Sequence, residues 1–319
     1  MQPKTPIHRE TVMNKKVHVD HVLAGQVVER PPVSLWYHFG IQHGGGEQFA
    51  QTTLDFFRHY DFDFLKVMND YFYPVPEGVD AVRTRQDLQK LSWFPVRESP
   101  WQEQFKAIDR IAAALKDEAY FIDTVFDAWQ SLHRNLASEN MKHLMRAEPE
   151  ALLSALDRIS DNLIDYCKTV LSLGAAGIFL SIPAGSEILT RQEFLTFVKP
   201  FARKILDAIN PLARMNTLHV HGKTLFFDDV LDLPAHVFNW CDRGPDGPSL
   251  QWVLERIPGC VMGGIDQTLV ARRTRAFLKT HVREAMELGG NRRFFLANGC
   301  TIDAWVYPGA LQTIVSTAR

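Results

Sequence analysis

Short apolar runs recur along the chain, and each is followed by a longer segment in which apolar positions step by three and four residues. The runs are apolar on both faces, which is typical of parallel strands covered by helices. The pattern predicts eight strands: Val33–Phe39, Phe64–Asn69, Tyr120–Phe126, Gly177–Ile182, Arg214–His221, His236–Cys241, Cys260–Gly264 and Phe294–Asn298.

The segments between these runs read as helices. The spacing predicts helices over Glu150–Leu173, over Thr190–Ala208 with a break at Pro200, and over Leu269–Leu288, with a shorter one over Val17–Gly25. Strands that alternate with helices indicate βαβ units, and eight such units predict an α/β protein folded as a single (β/α)8 TIM barrel. We expect residues 1–16 to form a flexible arm before that helix and residues 17–319 to form the barrel domain.

A doubly wound open sheet is the competing fold. After the first predicted strand the chain reads HFGIQHGGGEQ, whose glycines do not have the GxGxxG spacing of a dinucleotide-binding turn. This argues against a dinucleotide-binding protein.

Composition narrows the class of protein. Of 319 residues, 46% are hydrophobic and 23% are charged, as in globular proteins with a full core. A net charge of −2 without a basic block does not suggest a nucleic-acid partner. Because no apolar run has the length of a membrane span and the N-terminus lacks an apolar signal core, we expect a cytoplasmic protein with no membrane partner. The four cysteines are widely spaced and are expected to be reduced thiols.

The main candidate site lies in LHVHG and in a cysteine about eighty residues later. His219 and His221, at i and i+2 on a strand, point to the same face, and Cys300 follows the last predicted strand. In a barrel both strands open onto the mouth that carries the chemistry. Imidazole and thiolate ligands suit zinc, and three protein ligands leave a position open for catalysis. The sequence alone does not decide whether such a zinc would activate a thiol, a water or a carbonyl group.

Other polar and aromatic residues also follow the predicted strands. We expect Glu187 or Asp242 to supply a fourth ligand or a general base, and Asp70 or Asp242 to handle a proton. Each residue alone is also typical of packing or capping, and a His-x-His pair is weak evidence in a chain with twelve histidines. Their joint placement at one mouth favours a site. The residues expected to line a pocket for a small organic substrate are Trp36, Tyr37, His38, Asn69, Asn298 and Trp305.

Three stretches, HVHGKTLFFDDVLDL, PGCVMGGIDQTLV and FFLANGCTIDAWVYPGALQTIV, resemble the uroporphyrinogen decarboxylase superfamily, and within it the corrinoid-dependent methyltransferases. The resemblance runs from about Val19 to the C-terminus. In the zinc-dependent members that it resembles, a His-x-Cys motif and a distant cysteine hold a zinc that activates a thiol for methyl transfer from a methylcorrinoid protein. Carried over, His219 matches the motif histidine, His221 the motif cysteine, and Cys300 the distant cysteine.

Two departures from the family pattern bear on the chemistry. His221 replaces a thiolate, so the site is one charge more positive, which favours Lewis-acid or metal-hydroxide chemistry over thiol activation. The decarboxylases carry an arginine-rich segment similar to RQAGRY after the first strand, whereas this chain reads WYHFGIQHGGGE, without the arginines that grip carboxylates. We therefore expect the superfamily fold without uroporphyrinogen decarboxylation.

Three functions remain open. The leading hypothesis is a zinc-dependent methyltransferase that moves a methyl group between a small organic molecule and a thiol or a corrinoid supplied by a partner protein. The second is a metal-free decarboxylase of a less carboxylated substrate, with Asp70 or Asp242 paired with His38 or His219. The third is a non-catalytic binding member of the fold, against which the clustered titratable groups argue.

Overall fold

The central element is a parallel sheet whose seven strands lie side by side in sequence order. The computed structural model describes residues 14–41, 44–69 and 71–319. The α/β fold with a parallel sheet is therefore confirmed, and each strand falls within or beside a predicted one, so that the fifth predicted strand is β4. The strands are β1 Leu65–Val67, β2 Phe121–Phe126, β3 Gly177–Pro183, β4 Thr217–His221, β5 Val237–Asn239, β6 Cys260–Ile265 and β7 Phe294–Asn298.

Helices fill the crossovers between the strands. The predicted break at Pro200 is confirmed, because α8 and α9 are separate there and the proline occupies the first turn of α9, where a missing N–H costs nothing. The predicted start at Leu269 is wrong, since α12 begins after Thr274, whose side chain accepts the Phe277 N–H. The helices are α1 Lys15–Leu23, α2 Gly46–Tyr60, α3 Arg85–Lys90, α4 Gln102–Leu115, α5 Ala128–Leu132, α6 Met141–Ala147, α7 Pro149–Ser172, α8 Arg191–Phe197, α9 Lys199–Ile209, α10 Leu250–Leu254, α11 Gln267–Val270, α12 Arg275–Gly289 and α13 Pro308–Thr317.

The first predicted strand, residues 33–39, is not a regular strand. It makes isolated parallel bridges from Val33 to Leu296 and from Tyr37 to Ile302. Side chains take the place of ladder acceptors: the Val33 N–H donates to the Asp63 carboxylate at 2.8 Å, and the Trp36 N–H donates to the Asn298 side chain at 3.2 Å. The apolar pattern therefore predicted correctly that this segment is buried, but its prediction of a regular hydrogen-bonded strand was wrong.

The same segment nevertheless connects the two edges of the sheet. The Ser34 N–H donates to the Leu296 carbonyl of β7 at 3.2 Å, and the Asp63 N–H, just before β1, donates to the Val33 carbonyl at 2.9 Å. Residues 32–37 therefore bond to both edges of the sheet, and we call them the bridging segment.

Most of the predicted N-terminal arm lies outside the described residues. Lys15 and Lys16, assigned to the arm, belong instead to α1, which Asn14 caps with its side chain. Val19 and Val22 of α1 are fully buried in the cluster that includes Phe64 and Cys260, near the amino ends of the strands. Helix α1 thus covers the amino-terminal end of the sheet's inner face and leaves the carboxyl-terminal end for the site.

The inner face of the sheet has its own apolar core, which stops short of the strands' carboxyl ends. Phe64, Ile122, Phe179, Met262 and Phe295 are buried there. Beyond this layer, toward the carboxyl ends of the strands, the inward positions become polar. The sequence predicted the functional residues at that end of the sheet. None of the helices described combines the length and the apolar character needed to cross a bilayer.

Asp63 is the buried acid that ties the bridging segment to β1. Its carboxylate accepts hydrogen bonds from both terminal nitrogens of Arg30, at 2.6 and 2.8 Å, and from the Val33 N–H. Burial alone would raise the pKa of Asp63, but the hydrogen bonds from the Arg30 guanidinium and its positive charge hold the pKa well below its ordinary value.

We predict that Asp63→Asn lowers the free energy of unfolding at pH 7 by about 3–5 kcal/mol, because it leaves the Arg30 charge without its partner. Since the native pKa is depressed, this contribution is present above the unfolded pKa of about 4 and is lost as the pH falls through the native value. The difference between wild type and variant in urea unfolding should therefore shrink below about pH 4.

Asp61→Asn is the matched control, because Asp61 pairs with Lys15 and Arg319 at the surface. Its loss should cost about 1 kcal/mol or less. Equal losses in the two variants would contradict the role given to Asp63.

Candidate metal centre

The three residues predicted as metal ligands meet at the carboxyl end of the sheet. One ligand atom each of His219, His221 and Cys300 lies within 4.8 Å of the other two. The Cys300 sulfur is 3.9 Å from Nδ1 of His221. The two histidines are two residues apart on β4, so both rings project from its inner face, with their centroids 5.6 Å apart. His219 is buried and His221 is accessible at the strand end.

A hydrogen-bond network fixes the proton on His219. Nδ1 of His219 lies 2.7 Å from Oδ1 of Asn239. The amide nitrogen of Asn239 donates to the carbonyl oxygens of Met262, at 2.9 Å, and of Asn298, at 3.2 Å, so Oδ1 must be the acceptor. His219 therefore carries its proton on Nδ1, and Nε2 keeps the lone pair that a metal would bind.

The loop after β7 holds Cys300 in place. The Asn298 amide nitrogen donates to the Cys300 carbonyl oxygen at 2.6 Å, and the Cys300 N–H donates to the side-chain oxygen of Gln267 at 3.2 Å. Gly299 must be glycine, because a Cβ there would lie 2.6 Å from the Trp240 carbonyl oxygen and 2.8 Å from Cα of Cys241. The N–H and the carbonyl group of Cys300 are therefore both held by hydrogen bonds, which fixes the position of its thiol.

The neighbours of Cys300 favour its deprotonated form. The neighbouring Cys241 thiol lowers the pKa of Cys300 well below its ordinary value, against burial, and the contact with His221 lowers it further. The contact with Cys300 in turn raises the pKa of Cys241 and the pKa of His221. The side chain of Gln267 also donates to the Cys241 sulfur at 3.2 Å.

These donors fit a zinc ion. The thiolate is the form of cysteine that binds metals. An imidazole whose second nitrogen donates to a fixed acceptor is the usual form of a histidine ligand. Two imidazoles and one thiolate make a set of three ligands of the kind that catalytic zinc sites use.

Two cavities meet at this cluster. The inner cavity, of about 180 Å³, opens over the sheet's inner face, and the outer cavity, of about 470 Å³, lies beyond the ends of β4, β5 and β6. His221 and Cys300 line both cavities, so the centre can be approached from two sides.

The residues predicted to bind substrate are not all in these walls. Trp36, His38 and Asn69 line the inner cavity. Asn298 is buried and supports Cys300 and the bridging segment instead. Tyr37 packs on Phe39 and Phe56 and lines neither cavity, and Trp305 is 63% exposed beneath the Arg272 guanidinium.

Two of the three predicted acids line the outer cavity, and the third lies outside the described residues. Glu187 lines the outer cavity and accepts the Lys223 N–H at 2.7 Å. Asp242 lines the same cavity and accepts the Gly264 N–H at 2.8 Å, and burial raises its pKa to about 6. Neither acid belongs to the group of three potential ligands. Asp70 lies outside the described residues.

Sequence reasoning missed the residues that support the cluster. Asn239 faces inward in β5, as its alternation with Phe238 indicates, and Cys241 follows two residues later. Gln267 comes two residues after β6, at the start of α11. Lys66, in the centre of β1, and Arg134 also line the inner cavity and were not singled out.

Comparisons with known proteins agree with this picture at the level of family and fold. A sequence model of the family described as uroporphyrinogen decarboxylase (URO-D) matches residues 73–319. A uroporphyrinogen decarboxylase of Bacillus cereus (strain G9842) is 26% identical over 98 residues, which make up 31% of this chain and 28% of that protein. The match thus spans less than a third of that relative.

Solved structures share the architecture. A methyltransferase from Methanosarcina mazei superposes with a TM-score of 0.81 at 16% identity, over 96% of this chain and 98% of its own. A structure described as a vitamin-B12 independent methionine synthase from Listeria monocytogenes superposes with a TM-score of 0.56 at 12% identity, over 96% and 92% of the two chains. At such identities the likeness establishes the fold. Because the sequence model covers well over half of the chain, the protein belongs to the uroporphyrinogen decarboxylase family.

Proposed function

We propose that the protein is a zinc-dependent methyltransferase that moves a methyl group between a small organic molecule and a thiol or corrinoid. The zinc would sit on His219, His221 and Cys300, and the corrinoid would come from a partner protein. The proposal rests on the observation that these three donors meet at the carboxyl end of the sheet. Hydrogen bonds with Asn239 and Gln267 hold His219 and Cys300 in place. The similarity to a methyltransferase fold supports it.

The architecture proposed with this function is a single (β/α)8 domain from residue 17 onward. The bridging segment would take the place of the eighth strand, because it bonds to β7 and to the residue before β1.

The chain's own residues have separate tasks in this proposal. Bound at the site, zinc would supply a Lewis acid that carries one thiolate and two neutral imidazoles. Asn239 orients the His219 ring, and the Cys241 thiol stabilises negative charge on Cys300. Trp36 and Phe179 wall the inner cavity with apolar surface, which excludes water from the organic substrate.

Asp242 has the acid–base properties for a proton step on the outer side. With a pKa of about 6, its carboxyl group exchanges a proton near neutral pH. The outer cavity that it lines reaches His221 and Cys300, so a second reactant could approach the centre there while the organic molecule occupies the inner cavity.

The geometry favours this function over a metal-free decarboxylase. That alternative pairs a carboxylate with His219 or His38. In the described chain, His219 donates to the Asn239 amide, and Asp242 accepts from the Gly264 backbone. An imidazole fixed by an amide, with its other nitrogen directed to a thiolate and a second imidazole, is better suited to metal binding than to proton transfer with an acid.

We predict that the metal-free protein takes up one zinc per chain at pH 7, measured by competition with a chromophoric chelator. His221→Ala and Cys300→Ser each remove a ligand, so they should weaken binding by more than the roughly 10–100-fold that the loss of an outer partner costs.

The control for these variants is His236→Ala. His236 lies at the amino end of β5, where its Nδ1 accepts the Asn216 N–H. Its replacement should leave zinc affinity unchanged. Wild-type affinity in His221→Ala would rule out the proposed ligand set.

We further predict that Asn239→Ala weakens zinc binding by about 10–100-fold, because His219 loses the acceptor that fixes its proton on Nδ1. Asn162→Ala removes another buried amide, bonded to Tyr73 and Ser92 far from the ligands, and should lower stability without affecting zinc. An equal loss of zinc affinity in the two variants would show a general effect of destabilisation and refute the orienting role.

A further inference from the structure

Two of the four cysteines are neighbours at the proposed metal centre. Cys241 and Cys300 are partly accessible and both line the outer cavity of about 470 Å³. Cys300 is one of the three potential ligands, and Cys241 does not belong to that group. Cys241 is therefore an accessible thiol that lies beside the ligand set without being part of it.

Close packing of two loops brings these cysteines together. A Cβ on Gly299 would lie 2.8 Å from Cα of Cys241 and 2.6 Å from the carbonyl oxygen of Trp240. The backbone directly before Cys300 is therefore packed against the backbone of Cys241, with no side chain between them. A disulfide needs two Cα atoms within about 7 Å of each other, which this packing of the loops allows.

The side chain of Gln267 connects the same two residues. Its oxygen accepts the Cys300 N–H at 3.2 Å, so its amide nitrogen must be the atom that donates to the Cys241 sulfur, also at 3.2 Å. Since the Cys241 sulfur accepts this N–H, its own thiol hydrogen can turn toward Cys300. The two thiols also shift each other's pKa, that of Cys241 upward and that of Cys300 downward, as neighbouring sulfurs do.

The other two cysteines are shielded from solvent. Cys167 of α7 is fully buried in the core outside the sheet, and Cys260 is 1% exposed in the cluster beneath α1. The outer cavity, in contrast, has room for many molecules the size of water, each of which takes about 30 Å³ in the liquid. A small oxidant in solution therefore reaches Cys241 and Cys300 before it reaches Cys167 or Cys260.

We propose that Cys241 and Cys300 are a site of reversible oxidation, at which hydrogen peroxide converts the two thiols into a disulfide. The Cys300 sulfur attacks peroxide, so that an S–O bond forms, the O–O bond breaks, and a sulfenic acid and hydroxide result. The Cys241 sulfur then attacks the Cys300 sulfur, the S–S bond replaces the S–O bond, and the oxygen leaves as water. One peroxide is reduced for each disulfide, and the two thiol hydrogens leave in two molecules of water.

Oxidation of this pair would disable the proposed zinc site. This consequence rests on the proposed function, whereas the disulfide itself needs no metal. Cys300 is the single thiolate in the proposed ligand set, so the disulfide would remove the one anionic ligand and leave two neutral imidazoles. Bound zinc would in turn hold the Cys300 sulfur and protect it from peroxide. The pair would thus couple zinc binding to oxidation.

The test treats the metal-free, full-length protein with a small molar excess of hydrogen peroxide and counts free thiols after unfolding without reductant. The count should fall from four to two. Peptide mapping should find one link, between Cys241 and Cys300, and dithiothreitol should restore all four thiols. In Cys241→Ser no link should form, and Cys300 should stop at the sulfenic acid, which dimedone labels.

Cys167→Ala removes a buried thiol and is the matched control, which should form the same link as wild type. Survival of all four thiols in wild type, or their loss to sulfinic and sulfonic acids without a link between Cys241 and Cys300, would refute the pair. These two results come from the wild-type protein, so they decide the proposal even if a variant does not fold.

Zinc uptake by the reduced and the oxidised protein separates the two proposals. Both are supported if the reduced protein binds zinc and the oxidised protein binds it more than about 100-fold more weakly. A protein that forms the link but takes up no zinc when reduced would refute the proposed function and leave the oxidation site standing. Equal zinc affinity in the two forms would refute both the coupling and the assignment of Cys300 as a ligand.

Discussion

The hydrogen bond between His219 and Asn239 is the interaction on which the site depends. The two residues face each other in register on β4 and β5, and Asn239 is in turn paired with Met262 on β6. The amide nitrogen of Asn239 also reaches the Asn298 carbonyl at the end of β7. One side chain therefore links four strands, and its hydrogen bonds determine which ring nitrogen of His219 carries the proton. The remaining donors are placed relative to this layer: His221 one step further along β4 and Cys300 just after β7.

The charge of the cluster distinguishes this chain from the methyltransferases that it resembles. A second imidazole stands where a thiolate is expected, which leaves a bound zinc more positive and more strongly Lewis-acidic. The neighbouring Cys241 thiol lowers the pKa of Cys300, which favours the thiolate form of that residue. The more positive charge suits the activation of an oxygen-bearing substrate better than the activation of a thiol. In the proposed reaction, the two cavities would give such a substrate and a methyl acceptor separate approaches.

The sequence predicted the parts of the structure that depend on local periodicity. Seven strands were found from apolar runs, and the shared face of His219 and His221 follows from the two-residue repeat of a strand. Cys300 was predicted as a ligand from its position after the last strand and from the family resemblance. The failed first strand shows the limit, because Asp63 and Asn298 supply acceptors from 30 and 262 residues away. Asn239, Lys66 and Arg134 were missed for the same reason: an amide or a cation in a strand or helix shows its role only when the fold brings a partner or a cavity to it.

The most direct test of the zinc assignment is X-ray absorption at the zinc edge of the zinc-loaded protein. The proposed ligand set predicts nitrogen ligands at about 2.0 Å from two histidines and a sulfur ligand at about 2.3 Å from Cys300, with the sulfur shell lost in Cys300→Ser. A first shell made only of oxygen and nitrogen in the wild-type protein, or a sulfur shell that survives in Cys300→Ser, would contradict it.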